Sequence, residues 1–245
     1  MATLLENEFT TQPRLIQTNL YKEALKKFRK TASSTTHLHL LFGTILFSEV
    51  IAGLIFSQAL FLAIFVSLFV ATCFTYFVLL FYYQARNPEE LKTLTTEFLH
   101  SCKISLDHQH LSVAEELVRF SSYLEDFEWG FYKVSSPMIS RFSAFCYWED
   151  VFKTKQMLLL AAIDEHIQQI RISPTDIEVH ASLGSTYVAL SKLYRQPIQN
   201  PQHPRISDLK KLQSRFEEKS KNYSKLAIEE FKIIHHYASD DPWVH

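Results

Sequence analysis

The chain has 245 residues with 25 basic and 26 acidic side chains, a formal charge of −1 with histidine neutral. That balance excludes a broad nucleic-acid surface, which needs a strong positive excess. Only four glycines occur, Gly43, Gly53, Gly130 and Gly184; so few disfavour phosphate-cradling loops, dinucleotide-binding turns and tight β-hairpins, each of which needs glycine.

Residues 1–37 form a basic arm. From Pro13 onward Ile16, Leu20, Ala24, Leu25 and Phe28 fall at helical spacing with Lys22, Lys26, Arg29 and Lys30 between them. This predicts an amphipathic helix that either lies on an anionic leaflet or packs on a soluble domain. Residues 38–83 then contain a single charged side chain, Glu49. Two lobes, 38–56 and 59–83, are separated by Ser57 and Gln58. At the α-helical rise the first lobe would extend about 28 Å, close to the hydrocarbon thickness, and the second can span with tilt. The pattern predicts a two-helix transmembrane hairpin, since backbone in lipid must satisfy its own hydrogen bonds. A hairpin buried in a globular core is the competing reading; it would show charged residues every few positions.

Arg14, Lys22, Lys26, Lys27, Arg29 and Lys30 outnumber Glu6, Glu8 and Glu23 before the first lobe, and Arg86 and Lys92 follow the second. The positive-inside rule therefore predicts both termini in the cytosol of whichever cell inserts the protein. Glu49 is the intramembrane polar residue. A charge there costs roughly 2.5–3.5 kcal/mol, so Glu49 is expected to be protonated or to bond to Thr44, Thr72 or Thr75.

Beyond residue 84 the reading is a cytosolic all-α domain. Asn87-Pro88 is expected to open a helix carrying Leu91, Leu94, Phe98 and Leu99. A second helix is predicted over 112–133, with Ser112 and Glu115 as a capping box. Ser135-Ser136 looks like a loop. After Pro137 a long helical stretch over 138–171 follows, kinked or broken near Trp148-Glu149. No stretch alternates with period two.

The segment 161–194 carries a more specific pattern. Pro174 is placed to close one helix, Leu183-Gly184 is followed by Tyr187, and Ala162 falls at a small-residue position of the preceding helix. These residues resemble the tetratricopeptide repeat (TPR), an antiparallel helix pair of roughly 34 residues that stacks into a solenoid. Two positions depart from the family: His180 stands where an aromatic is usual and Gln169 where alanine is usual. Ala227 and Phe231 match the small and aromatic positions of a second repeat helix, and Asp240-Asp241-Pro242-Trp243 resembles the start of another repeat. The family spacing then implies an insertion of roughly 31 residues between Gly184 and Ala227, including Pro197, Pro201 and Pro204 and a charged helical extension with Lys210, Lys211 and Arg215. The resemblance covers about 157–245 and implies that the named residues are packing positions. The hairpin-plus-helical architecture is also similar to that of chlamydial inclusion-membrane proteins, in arrangement and not in motif.

Catalytic signatures are missing: no P-loop, no Gly-x-Ser-x-Gly and no His-Glu-x-x-His. His108-Gln109-His110, His235-His236 and Asp164-Glu165-His166 lack partners at metal-ligand spacing. No catalytic residue, metal or cofactor is expected. Cys73, Cys102 and Cys146 read as reduced thiols in a cytosol-like compartment. The function expected is a membrane-anchored helical-repeat scaffold or adaptor that binds a protein or peptide partner, with lipid bilayer as its other contact and neither nucleic acid nor small-molecule substrate. The alternative is a subunit of a membrane enzyme or transport complex that uses Glu49 or the histidines.

Overall fold

The computed structural model describes residues 2–55, 59–131, 136–199 and 206–237. These are helical throughout apart from turns: α1 (Ala2–Ile55), α2 (Ala59–Ser105), α3 (His110–Tyr123), α4 (Pro137–Ile172), α5 (Ile177–Gln199) and α6 (Ile206–Tyr237). Among the described residues no strand occurs. The chain divides into two compact units, Met1–Leu94 and Thr95–His245.

In the first unit α1 and α2 run antiparallel. Thr72 Oγ1 donates to Glu49 Oε1 at 2.7 Å, His39 Nδ1 lies 2.8 Å from the Tyr76 hydroxyl, and Gly53 faces Phe65. Both helices are long and apolar enough to cross a membrane. Their outer surfaces stay apolar: Leu54 is 75 % exposed and Phe74 71 %. Large exposed apolar side chains on every outward face are what a lipid-facing helix presents, whereas a helix of a globular core hides them. Ser57 and Gln58, the polar break, lie outside the described residues.

Two boundaries differ from the sequence expectation. The arm is not a separate helix: α1 continues through it into the apolar stretch. Between Lys30 and His37 no proline or glycine intervenes, and Ser33 and Ser34 donate their hydroxyls to the carbonyls of Lys30 and Thr31, one turn back, so nothing breaks the helix. Ala24, Phe28 and Ala32, on the arm's apolar stripe, are buried. The arm's lysines Lys22, Lys26, Lys27 and Lys30 remain exposed.

Pro88 does not begin a helix either; it lies inside α2. An interior proline removes one backbone bond and costs about 3 kcal/mol. Here Pro88 is on the exposed face, where water can solvate the freed carbonyl. Arg86 donates to the Tyr82 hydroxyl and pairs with Glu90, one turn before and one turn after, so a side-chain ladder bridges the weak turn.

The second unit is a series of antiparallel neighbours: α3 on α4, α4 on α5, and α5 on α6. Its main core gathers Phe152, Leu159, Ile163, Leu183, Tyr187, Leu190, Leu193, Tyr194 and Ala227. Each fully buried leucine-sized side chain contributes roughly 1.5–3 kcal/mol. The end of α3 differs from expectation. Gln109, not Ser112, is the N-cap residue, and the Ser112 hydroxyl turns back to Gln109. The helix stops at Tyr123 because Asp126 takes a left-handed conformation (φ 56°), which aspartate tolerates better than most residues. The apolar pattern continues past that point in a turn, where Phe131 stacks on Tyr147 at 3.8 Å.

α4 runs unbroken through Trp148-Glu149, so the helix is not broken there. Pro197 is likewise inside α5, near its end, and Pro201 and Pro204 lie outside the described residues. Between Gly184 and Ala227 the described chain lengthens α5 and α6 together. Ser191 bonds Ser220 and Ser224 across the pair at 3.0 and 2.8 Å, and Tyr194 meets Phe216 with ring centroids 5.8 Å apart.

Candidate functional site

α3 and α5 are both antiparallel to α4, and so parallel to each other; where they approach they leave an open groove floored by α4. One half of the groove is a cleft of about 500 Å³ bordered by Glu115, Arg119 and Glu178, with His166 and Thr186 beneath. The other is a cleft of about 460 Å³ bordered by Glu125, Lys155 and Lys192, with Leu159 and Leu193 beneath. Ser185 lines both halves, so the two are continuous. On α5 the groove stripe runs Glu178, Ser182, Ser185, Ala189, Lys192 and Gln196, the three-and-four spacing of one helix face.

The expected packing residues fall around this unit. Ala162, Leu183, Tyr187 and Ala227 are buried in α4, α5 and α6. Pro174 stands in the turn after α4, whose C-cap residue is Ser173. Gly184 faces α6, where a Cβ would lie 3.1 Å from Phe231 Cε1. Phe231 covers that glycine while remaining 43 % exposed at the groove. Asp240-Asp241-Pro242-Trp243 and the side chains of Lys210 and Lys211 lie outside the described residues.

His180, in the place of an aromatic, is 6 % exposed and makes two bonds. Nδ1 lies 2.6 Å from Glu230 Oε2 on α6, and Nε2 lies 3.0 Å from the Pro174 carbonyl. Both partners are acceptors, so the ring donates from both nitrogens and is the imidazolium. Burial pulls its pKa down, but the Glu230 carboxylate and the Pro174 carbonyl more than reverse this, leaving it above the usual histidine value.

Beneath the acidic half, Glu165 on α4 holds Lys103 at 2.7 Å and His110 at 2.6 Å. Burial raises its pKa, and the bonds from Lys103 and His110 outweigh the burial, so the net displacement is downward. His166 beside it is 1 % exposed. Thr186 donates its hydroxyl to the Ser182 carbonyl and lies 3.3 Å from His166 Nε2, so it accepts the ring N–H. Nδ1 is then a buried acceptor with no partner among the described residues. Burial lowers the His166 pKa to about 4, and the ring is neutral.

Two of the remaining histidine and acidic sets meet at a single bond, His110 to Glu165, and this makes no metal site. His108 sits in the turn after α2 with φ 59°, while His110 goes to Glu165, and among the described residues no group of His, Cys, Asp or Glu is placed to hold a metal ion. Cys102 is buried and its thiol is pushed up to about 12, which suits apolar packing. Of the three threonines expected to reach Glu49, Thr72 does so, while Thr44 and Thr75 bond to carbonyls of their own helices.

The groove charges were missed in the sequence. Their only signal there is the recurrence of small and polar residues along one face of α5, which reads as an ordinary solvated face until α3 is placed opposite. Compared with known proteins, the chain matches no family model, no curated protein and no solved structure.

Proposed function

We propose that this protein is a membrane-anchored helical-repeat scaffold that binds a protein or peptide partner along the α3–α5 groove. The observation that carries the reading is the alternation of helices in the second unit. α3 and α5 run parallel and line an open groove, with α4 and α6 as their antiparallel mates, as in a TPR-like array. In this reading the apolar parts of α1 and α2 cross a bilayer twice, both termini lie in the cytosol, and tethering concentrates the groove at the membrane surface. Exposed Phe74, Phe47 and Leu54, together with the basic residues before the first span, support the anchoring.

Alkaline carbonate extraction of membranes expressing the full chain tests the anchor. The intact protein is expected in the pellet, and a chain lacking 38–83 in the supernatant; release of the intact chain would refute two spans. Protease accessibility of tags at Met1 and His245 tests topology, with both expected on one side. Crosslinking and mass spectrometry in the native membrane is expected to yield partner peptides joined to Lys155 or Lys192; crosslinks confined to other surfaces would remove the groove from the proposal.

A further inference from the structure

The two halves of the groove differ in charge. At one end Glu115 and Glu178 are exposed and make no ion pair among the described residues, while Arg119 is neutralised by Glu116 at 2.7 Å. At the other end Lys155 and Lys192 make no ion pair among the described residues; Glu125 borders the cleft beside them, and the half-buried Glu128 carboxylate also acts on Lys155. Beneath the acidic end, the neutral ring of His166 offers an unmatched acceptor at Nδ1 and adds no positive charge. Between the ends the floor and walls are small or apolar: Ser185, Val188, Ala189, Leu159.

Resting on the groove reading above, we propose that the groove selects a bipolar peptide segment, with a lysine or arginine held near Glu115 and Glu178 and an aspartate or glutamate held near Lys155 and Lys192. Charge complementarity carries the choice. A uniformly acidic segment would set its carboxylates against Glu115 and Glu178, and a uniformly basic one would set its cations against the two lysines, each a like-charge juxtaposition that disfavours binding. The geometry also sets a length. Glu178 and Lys192 are four turns apart on α5, about 21 Å at the helical rise. An extended peptide advances about 3.3 Å per residue, so the opposite charges stand about six residues apart. The intervening positions are small or uncharged, because the groove between its ends has room but no free charge.

The test is selection of phage-displayed random 12-residue peptides on the full chain reconstituted in phosphatidylcholine nanodiscs, in parallel with K155E/K192E and E115K/E178K. The wild type is expected to enrich peptides with a basic and an acidic residue about six positions apart. K155E/K192E should exchange the acidic residue for a basic one, E115K/E178K the reverse, and each should bind the wild-type peptides on the order of tenfold more weakly. These side chains make no ion pairs among the described residues, and circular dichroism checks the folding of each variant; one folded variant suffices for the comparison. Enrichment of the same uncharged peptides by all three proteins overturns the bipolar rule and leaves groove binding intact. No enrichment by any of them overturns both.

Discussion

At Gly184 an added methyl group would stand 3.1 Å from Cε1 and 3.2 Å from Cζ of Phe231. Contacts that close oblige the ring to shift by a few tenths of an ångström. Phe231 is 43 % exposed and has solvent to move into, while alanine is favoured over glycine inside a helix by about 1 kcal/mol. Gly184→Ala should therefore change stability by less than about 1 kcal/mol. Gly184→Leu drives a branched side chain into α6 and should cost about 1–3 kcal/mol. Thermal unfolding of the detergent-solubilised chain by circular dichroism separates the two. Equal midpoints for wild type and the leucine variant would show that α5 and α6 do not meet at this point.

Between elements, His180 replaces packing by bonding. An aromatic side chain at its position would fill space; the imidazolium instead ties the α4–α5 turn, through the Pro174 carbonyl, to Glu230 on α6. His180→Phe should lose about 1–3 kcal/mol, because it strands the Glu230 carboxylate and the Pro174 carbonyl. A histidine whose folded pKa is raised contributes stability that is whole below the unfolded value and fades as pH rises through the folded one. The advantage of the wild type over His180→Phe should thus be largest below about pH 6.5 and shrink in alkali. A difference that stays constant across that range would mean the ring is not charged in the fold.

How far this was legible in the sequence differs by element. Helical class and the two apolar stretches follow from periodicity and composition, which act locally. The helix ends did not follow. Pro88 reads as a helix start and Pro197 as a helix breaker, yet the Tyr82–Arg86–Glu90 ladder carries α2 through the first and the second lies inside α5 near its end. Asp126, unremarkable in sequence, takes a left-handed backbone just after α3, and the apolar run continues beyond it in a turn. The placing of Gly184 against α6 was partly legible through the TPR resemblance, but the groove charges depend on α3 lying beside α5, a long-range juxtaposition that no local pattern encodes.

For the molecule as a whole, the buried histidine on the groove floor sets a dependence on acid. His166 is neutral in the fold, with a pKa lowered to about 4, whereas the same ring in the unfolded chain titrates near 6.5. Between those values the unfolded state binds the proton and the native state does not, so stability falls as pH falls. One such ring accounts for at most about 1.4 kcal/mol per pH unit and about 3 kcal/mol across the interval. Glu165 acts lower: its depressed folded pKa gives stability present above the unfolded carboxylate value and lost as pH drops through the folded one. His180 acts higher and in the opposite direction, and Glu128, raised by burial above the usual carboxyl value, opposes His166 at the acid side of the interval, so the His166 share is isolated by comparison with a His166 variant. Trp129 and Trp148 lie in the second unit and no tryptophan occurs before residue 95, so tryptophan fluorescence follows the unfolding of that unit by denaturant separately from the apolar pair. His166→Gln keeps an amide for Thr186 and removes the titration. Its stability should vary less with pH than that of the wild type between 6.5 and 4, the gap narrowing or reversing at the acid end. Parallel profiles would mean that the His166 ring is solvated or already charged in the native state, and the neutral floor of the acidic half of the groove would go with it.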